Sequence, residues 1–178
     1  MDWQPQLHAL GLVGLAALLG MLVGLEREIA RKPAGLRTHA FVGGAASLLM
    51  LLGRFVIDAY QAPETSGTIR SDPIRVIQAI VIGISFLGAG TIIRVRGERV
   101  EGLTTAASVL FTAGIGIAVA VEQFVLAAGC TLGGVLVLWL IAKVEQRVGL
   151  SHTADSPADA DRAEPAPQEP TTRDGRAS

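Results

Sequence analysis

The ionisable residues that could do chemistry gather in three short stretches of this 178-residue chain. "GLEREIARKPAGLRTHA" at 24–40 carries Glu26, Arg27, Glu28, Arg37 and His39, "DPIR" at 72–75 carries Asp72 and Arg75, and "IRVRGERVEG" at 93–102 carries a third cluster. A carboxylate beside a histidine suits proton transfer, and clustered acids suit Mg²⁺, which takes oxygen ligands and keeps much of its water. Neither pattern is complete here. The sequence has no His/Glu pair at metal-ligand spacing, no nucleophile with an evident base, and no P-loop. "GISFLGAG" at 83–90 has the glycines of a phosphate loop but no lysine, and no strand precedes it. The expectation is therefore a protein that is not an enzyme and has no catalytic residues, cofactor or metal centre. Asp72, with Asp58 and Glu64, offers at most a weak external contact to Mg²⁺. Asp72 and Pro73 also read as a helix N-cap and first helical residue, which accounts for both without a ligand.

These clusters flank long apolar runs. Half of the residues are hydrophobic, only 17% are charged, and the mean hydropathy is positive, a membrane composition. The net charge of −1 supplies no field for nucleic acid, so a nucleic-acid partner is not expected. Cys130 is the sole cysteine and can form no intrachain disulfide. A helix crossing roughly 30 Å of hydrocarbon needs about 20 mostly apolar residues. Five runs meet or approach that length: Leu7 to Leu25, Ala40 to about Ile57, Ile74 to Ile93, Leu103 to Val121, and Phe124 to Ala142. Arg54 interrupts the second, but near its end, where a long side chain can snorkel to the headgroups. The leader "MDWQPQ" lacks a basic residue, so the first run reads as a retained helix rather than a cleaved signal. The fold class is all-α, a polytopic bundle over residues 1–149. Residues 150–178, rich in proline and acids, read as a disordered tail.

Lysine and arginine near helix ends stay in the cytoplasm. Arg27, Arg31, Lys32 and Arg37 lie between runs one and two, Arg94, Arg96 and Arg99 between three and four, and Lys143 and Arg147 after five; only Arg54, Arg70 and Arg75 lie on the other side. Nine bases against three place the N-terminus outside and the C-terminus inside. The block at 24–40 then becomes a tight cytoplasmic hairpin. Glu28 and Lys32 at i, i+4 would extend its first helix, Pro33 would end it, and Thr38 would cap the next. Glu26, Glu28 and Arg37 would share a charged cytoplasmic surface with Arg94, Arg96, Arg99 and Glu101, the alternative for this block being anchorage in the headgroups. Small residues stand four apart in every run: Gly20/Gly24, Gly43/Ser47, Ala79/Gly83, Ser85/Ala89, Thr112/Gly116 and Gly129/Gly133. Such faces drive close helix packing in lipid, within one chain, in a homo-oligomer or against another membrane protein.

"GLERE" at 24–28, "KPAGLRTH" at 32–39, "DPIRV" at 72–76, "FLGAGTI" at 86–92 and "GLTTAAS" at 102–108 stand in the order and spacing of the signature blocks of the MgtC/SapB family, which the chain resembles over about residues 7–145. The resemblance implies a bacterial inner-membrane protein of about five helices, tied to growth at low magnesium and, in pathogens, to virulence inside host cells. It implies a modulator of a membrane complex such as the proton-translocating ATP synthase; the alternative is a carrier of Mg²⁺ or another cation. The motif residues it points to are Glu26, Arg27, Glu28, Gly35, Leu36, Arg37, Thr38, His39, Asp72, Arg75, Gly88, Gly90, Gly102, Thr104, Thr105 and Ala106. Ser85 stands where the family commonly has glycine and Leu110 where many members have tryptophan. The expected topology has a direct measurement: a phosphatase that works only outside the cytoplasm should be inactive when fused after Gly149 and active when fused after Tyr60.

Overall fold

The computed structural model describes residues 3–60, 72–95 and 99–148. The described residues form five helices: α1 (Gln4–Ile29), α2 (Leu36–Tyr60), α3 (Pro73–Ala89), α4 (Leu103–Ala120) and α5 (Phe124–Val148). Between α3 and α4 lies a short antiparallel ribbon, β1 (Ile93–Val95) and β2 (Arg99–Glu101), with Arg94 opposite Val100. Four of the helices are long and apolar enough to cross a membrane. The fifth, α3, has 17 residues and a length of about 25 Å at 1.5 Å per residue. The run expected to reach Ile93 stops at Gly90, where the chain turns into β1. The expected tail at 150–178, Glu64 and Arg70 lie outside the described residues, as do the side chains of Arg94, Arg96, Arg99 and Glu101.

Helices α1, α2 and α4 form the packed centre, and α3 lies against α2 and α4. The buried positions of α1 are Leu12, Ala16, Gly20, Val23, Gly24 and Arg27, one face at helical spacing. Facing it, α2 buries His39, Val42, Gly43, Ala46 and Ser47. Backbones come close at the glycines. A Cβ at Gly24 would stand 2.7 Å from Leu36 Cα, one at Gly43 would stand 2.7 Å from Ala16 O, and one at Gly20 or Gly116 would collide with the carbonyl of His39 or Gly43. Three of the six small-residue pairs, on α1, α2 and α4, are therefore spent on packing within the chain. The other three point away: Ala79, Ser85 and Ala89 are exposed, and around Gly83, Gly129 and Gly133 there is open space. On the inner side of α5, Gly134 instead meets the Phe111 ring of α4, and Ala127 and Thr131 are buried.

The helix ends differ from the sequence expectation in chemistry. α1 ends at Ile29, four residues before Pro33, in a left-handed cap: Arg31 has φ 53°, with Arg31 N–H donating to Glu28 O and Lys32 N–H to Arg27 O. Lys32 therefore lies beyond the helix and is not the i+4 partner of Glu28. Nor does Thr38 cap α2; Glu28 Oε2 accepts from Leu36 N–H at 3.0 Å and does so from the preceding helix. The same left-handed cap closes α4 at Glu122, with φ 62°. Arg54 is exposed near the end of α2, 3.9 Å from Glu122, a surface pair worth little. Asp72 caps α3 as its sequence predicts, with Oδ1 accepting from Ile74 N–H at 2.9 Å. "GISFLGAG" lies in one unbroken helical run to Ala89, capped at Gly90.

The glycine contacts set an expected outcome. Gly116→Ala should cost about 1–3 kcal/mol through overpacking against Gly43 O, while Gly129→Ala should be close to neutral. Equilibrium unfolding of the two variants in detergent measures the difference.

Candidate functional site at the turn end of the bundle

Antiparallel packing brings the end of α1, the start of α2, the end of α3 and the start of α4 to one end of the bundle. Four of the five sequence blocks meet there, those at 24–28, 32–39, 86–92 and 102–108. Arg27 is on the buried face of α1, only 4% exposed, and its Nη2 donates to Thr105 Oγ1 of α4 at 2.9 Å. His39, fully enclosed in the first turns of α2, has Nδ1 2.9 Å from Gly35 O and Nε2 3.2 Å from Ser108 Oγ. Ser108 donates to Thr105 O at 2.9 Å, and one turn deeper Thr112 donates to Ser108 O at 2.9 Å. Thr105, Ser108 and Thr112 recur at spacings of three and four, so their hydroxyls line the α4 face that meets α1 and α2.

These positions overturn one expectation. Arg27 and His39 are interior residues and do not anchor in headgroups. A buried guanidinium is tolerated because it is hydrogen-bonded, and a buried imidazole because both ring nitrogens face polar atoms. Glu28 is exposed and acts as the α2 cap, close enough to Gly35 that any larger residue there would strike it. Glu26 is half-buried, with Oε2 enclosed and without a hydrogen bond among the described residues. Arg37 is exposed, and Thr38 is half-buried within the first turn of α2.

The remaining motif residues position the backbone. Gly88 is buried on α3 in van der Waals contact with Ala106 of α4, and Gly90 is the C-cap of α3. Thr91 Oγ1 ties that end down by donating to Gly88 O at 2.7 Å. Gly102, the N-cap of α4, has φ 91° and passes so close to Thr91 O that a Cβ has no room. Thr104 is exposed beside it. Asp72 and Arg75 stand at the opposite end, where Gly53 of α2 meets Val76 of α3, and are not brought to the cluster. Among the described residues no three His, Cys, Asp or Glu side chains are grouped to hold a metal. Sequence reasoning missed Ser108, Thr112 and Ser47 as polar partners; the signal was the hydroxyl spacing on α4 and the 39/43/47 repeat on α2. Ser47 Oγ is fully buried with no hydrogen-bond partner among the described residues.

The Arg27 contact has a measurable consequence. Thr105→Val should destabilise by about 1–3 kcal/mol, the cost of withdrawing an acceptor from a buried cation, and the double variant with Arg27→Met should recover part of that loss. A double-mutant cycle of unfolding free energies in detergent reads the coupling.

Comparison with known proteins places this arrangement. Protein MgtC of Salmonella typhimurium is 37% identical over 133 residues, covering 75% of this chain and 52% of the relative. Protein SapB of Bacillus subtilis is 36% identical over 118 residues, 66% of this chain and 50% of the relative. YhiD of Escherichia coli K12, whose name describes a candidate magnesium transporter, is 37% identical over 105 residues, 59% of this chain and 47% of the relative. The chain thus spans about half the length of the curated relatives it matches. No solved structure matches it. The MgtC family model matches residues 13–147, from the middle of α1 to the end of α5 and so through every element of the cluster, and the chain belongs to the MgtC family of bacterial membrane proteins.

Proposed function

We propose that the protein is a regulatory component of the bacterial inner membrane that acts by packing against a membrane complex, such as the proton-translocating ATP synthase, during adaptation to low magnesium or host stress. Its N-terminus lies outside and its C-terminus in the cytoplasm, so the turn end of the bundle with Arg27, Arg31, Lys32 and Arg37 faces inward. The observation that carries this reading is the division of small residues between inside and outside. Gly20, Gly24, Gly43 and Gly116 are consumed in the three-helix centre, whereas Ala79 and Gly83 on α3 and Gly129 and Gly133 on α5 are open. In lipid, where apolar surface alone gives no drive to associate, such open faces favour close approach of another helix. Gly88, facing Ala106 inside the chain, is not part of that surface.

Conduction of Mg²⁺ fits the geometry less well. A dehydrating divalent cation needs several oxygen ligands. The centre of the bundle is instead closed by Ala16, Val23, Val109, Ala113 and Val119, and the polar cluster at its inner end is headed by a guanidinium that repels cations. The cleft between α4 and α5, about 240 Å³, is lined by Phe111, Gly114, Ile115, Ala118, Leu126 and Cys130, which is an apolar wall. Asp72, which the sequence offered to Mg²⁺ together with Asp58 and Glu64, is engaged as a helix cap.

Two measurements on the purified chain separate the readings. In liposomes with an internal Mg²⁺ indicator, no protein-dependent flux is expected. From native membranes the ATP synthase should co-purify, and Gly83→Leu together with Gly129→Leu should weaken its recovery while leaving the folded protein intact. Flux that disappears in Asp72→Ala would establish the carrier instead.

A further inference from the structure

We propose that His39 and Ser108 form a proton-responsive latch between α2 and α4, in which the charge on the imidazole sets the direction of one buried hydrogen bond. The argument is a count of protons. Gly35 O lies 2.9 Å from Nδ1, and a carbonyl only accepts, so Nδ1 carries a hydrogen. Nε2 faces Ser108 Oγ at 3.2 Å, and the same oxygen lies 2.9 Å from Thr105 O. The hydroxyl has one proton for two acceptors. When the ring is doubly protonated, Nε2–H donates to Oγ and the hydroxyl donates onward to Thr105 O, and every polar atom from Gly35 O to Thr105 O has a partner. When the ring is neutral, Nε2 is an acceptor; the hydroxyl must turn from Thr105 O to Nε2, or leave two lone pairs opposed inside the bundle.

The surroundings make this reversal consequential. From α1, the backbone at Gly20 and Gly24 presses on His39, and Arg27 is the charged neighbour. From α4 come Thr105, Ser108 and Thr112, and from α2 itself Gly35 O. Thr105 takes Arg27 on its hydroxyl and Ser108 on its carbonyl, so one residue joins the histidine to all three central helices. Close-packed interiors respond to such a change by moving between discrete arrangements. The proton comes from water at the turn end, where exposed Arg37 is two residues away, and it adds to Nε2 with no other bond made or broken. The latch rests on this geometry alone and holds whether or not a partner binds α3 and α5.

The test uses the full chain in lipid nanodiscs with His8→Gln and His152→Gln, leaving His39 as the sole histidine, labelled with ¹⁵N. NMR of the ring between about pH 4 and 9, which brackets the range of about pH 5 to 8 in which histidine ordinarily changes charge, should show an Nδ1–H neutral tautomer that becomes doubly protonated on acidification. Ser108→Ala should move the midpoint by at least about threefold in proton concentration, since the variant loses a group that bonds differently to the two forms. An Nε2–H neutral tautomer, a ring that keeps one protonation state throughout, or an unchanged midpoint in Ser108→Ala would each overturn the latch. The tautomer is read on unmodified Ser108, so the proposal stays open to refutation if that variant does not fold.

Discussion

Everything else in this bundle depends on how closely three backbones approach at Gly43. Its missing side chain lets Ala16 O of α1 come near on one side, and its own carbonyl fills the space over Gly116 of α4 on the other. Within a bilayer, helices gain little from burying apolar surface against each other, because lipid is equally apolar; what remains is dispersion, weak backbone contacts and side-chain hydrogen bonds at short range. Small residues on three helices at matched depths supply that range. The closeness also dictates what polar groups can sit there: hydroxyls that bond back to their own helix, such as Thr112, and one histidine whose ring spans from α2 to α4.

The packing decides which charges are structural and which are available. Arg27 is on the buried face of α1 because it continues the Ala16, Gly20, Val23 and Gly24 face by one further turn. Glu28 lies one turn beyond Gly24, on the side that faces the start of α2, and caps that helix. The neighbouring pair therefore divides its labour: one residue fixes α1 to α4, the other fixes α1 to α2. A hairpin held by a left-handed cap at Arg31 and a side-chain cap from Glu28 has little freedom at its turn. The exposed bases Arg31, Lys32 and Arg37 around that turn are left to meet headgroups or a partner.

The periphery has the reverse character. α3 meets α4 at Gly88 against Ala106 and α2 at Val76 against Gly53, α5 meets α4 at Gly134 against Phe111, and both turn most of their surface outward. Lys143 Nζ stands 4.6 Å over the Trp139 ring near the end of α5, an amphipathic pair of the kind that settles at a membrane interface.

The sequence by itself determined the membrane setting and the number of helices, because about 20 apolar residues in a row have few alternatives; most of the helix limits lie a few residues from the ends of the apolar runs, because helices run on into polar flanks until a cap stops them. Asp72 and Pro73 were legible for the same reason: capping is local chemistry. What the sequence could not decide was which small-residue faces meet within the chain, since Gly20/Gly24 and Gly129/Gly133 have the same pattern and differ only in what lies opposite. Nor could it separate Arg27 from the exposed Arg31 and Arg37. A charge one turn past an apolar run reads as a headgroup anchor until the tertiary structure shows an acceptor, here Thr105, 78 residues away in sequence and 2.9 Å away in space. Spacing can mark which residues share a helix face, as the hydroxyls of α4 do, but not which distant face they meet, so the pairing of Arg27 and His39 with Thr105 and Ser108 was decided by packing.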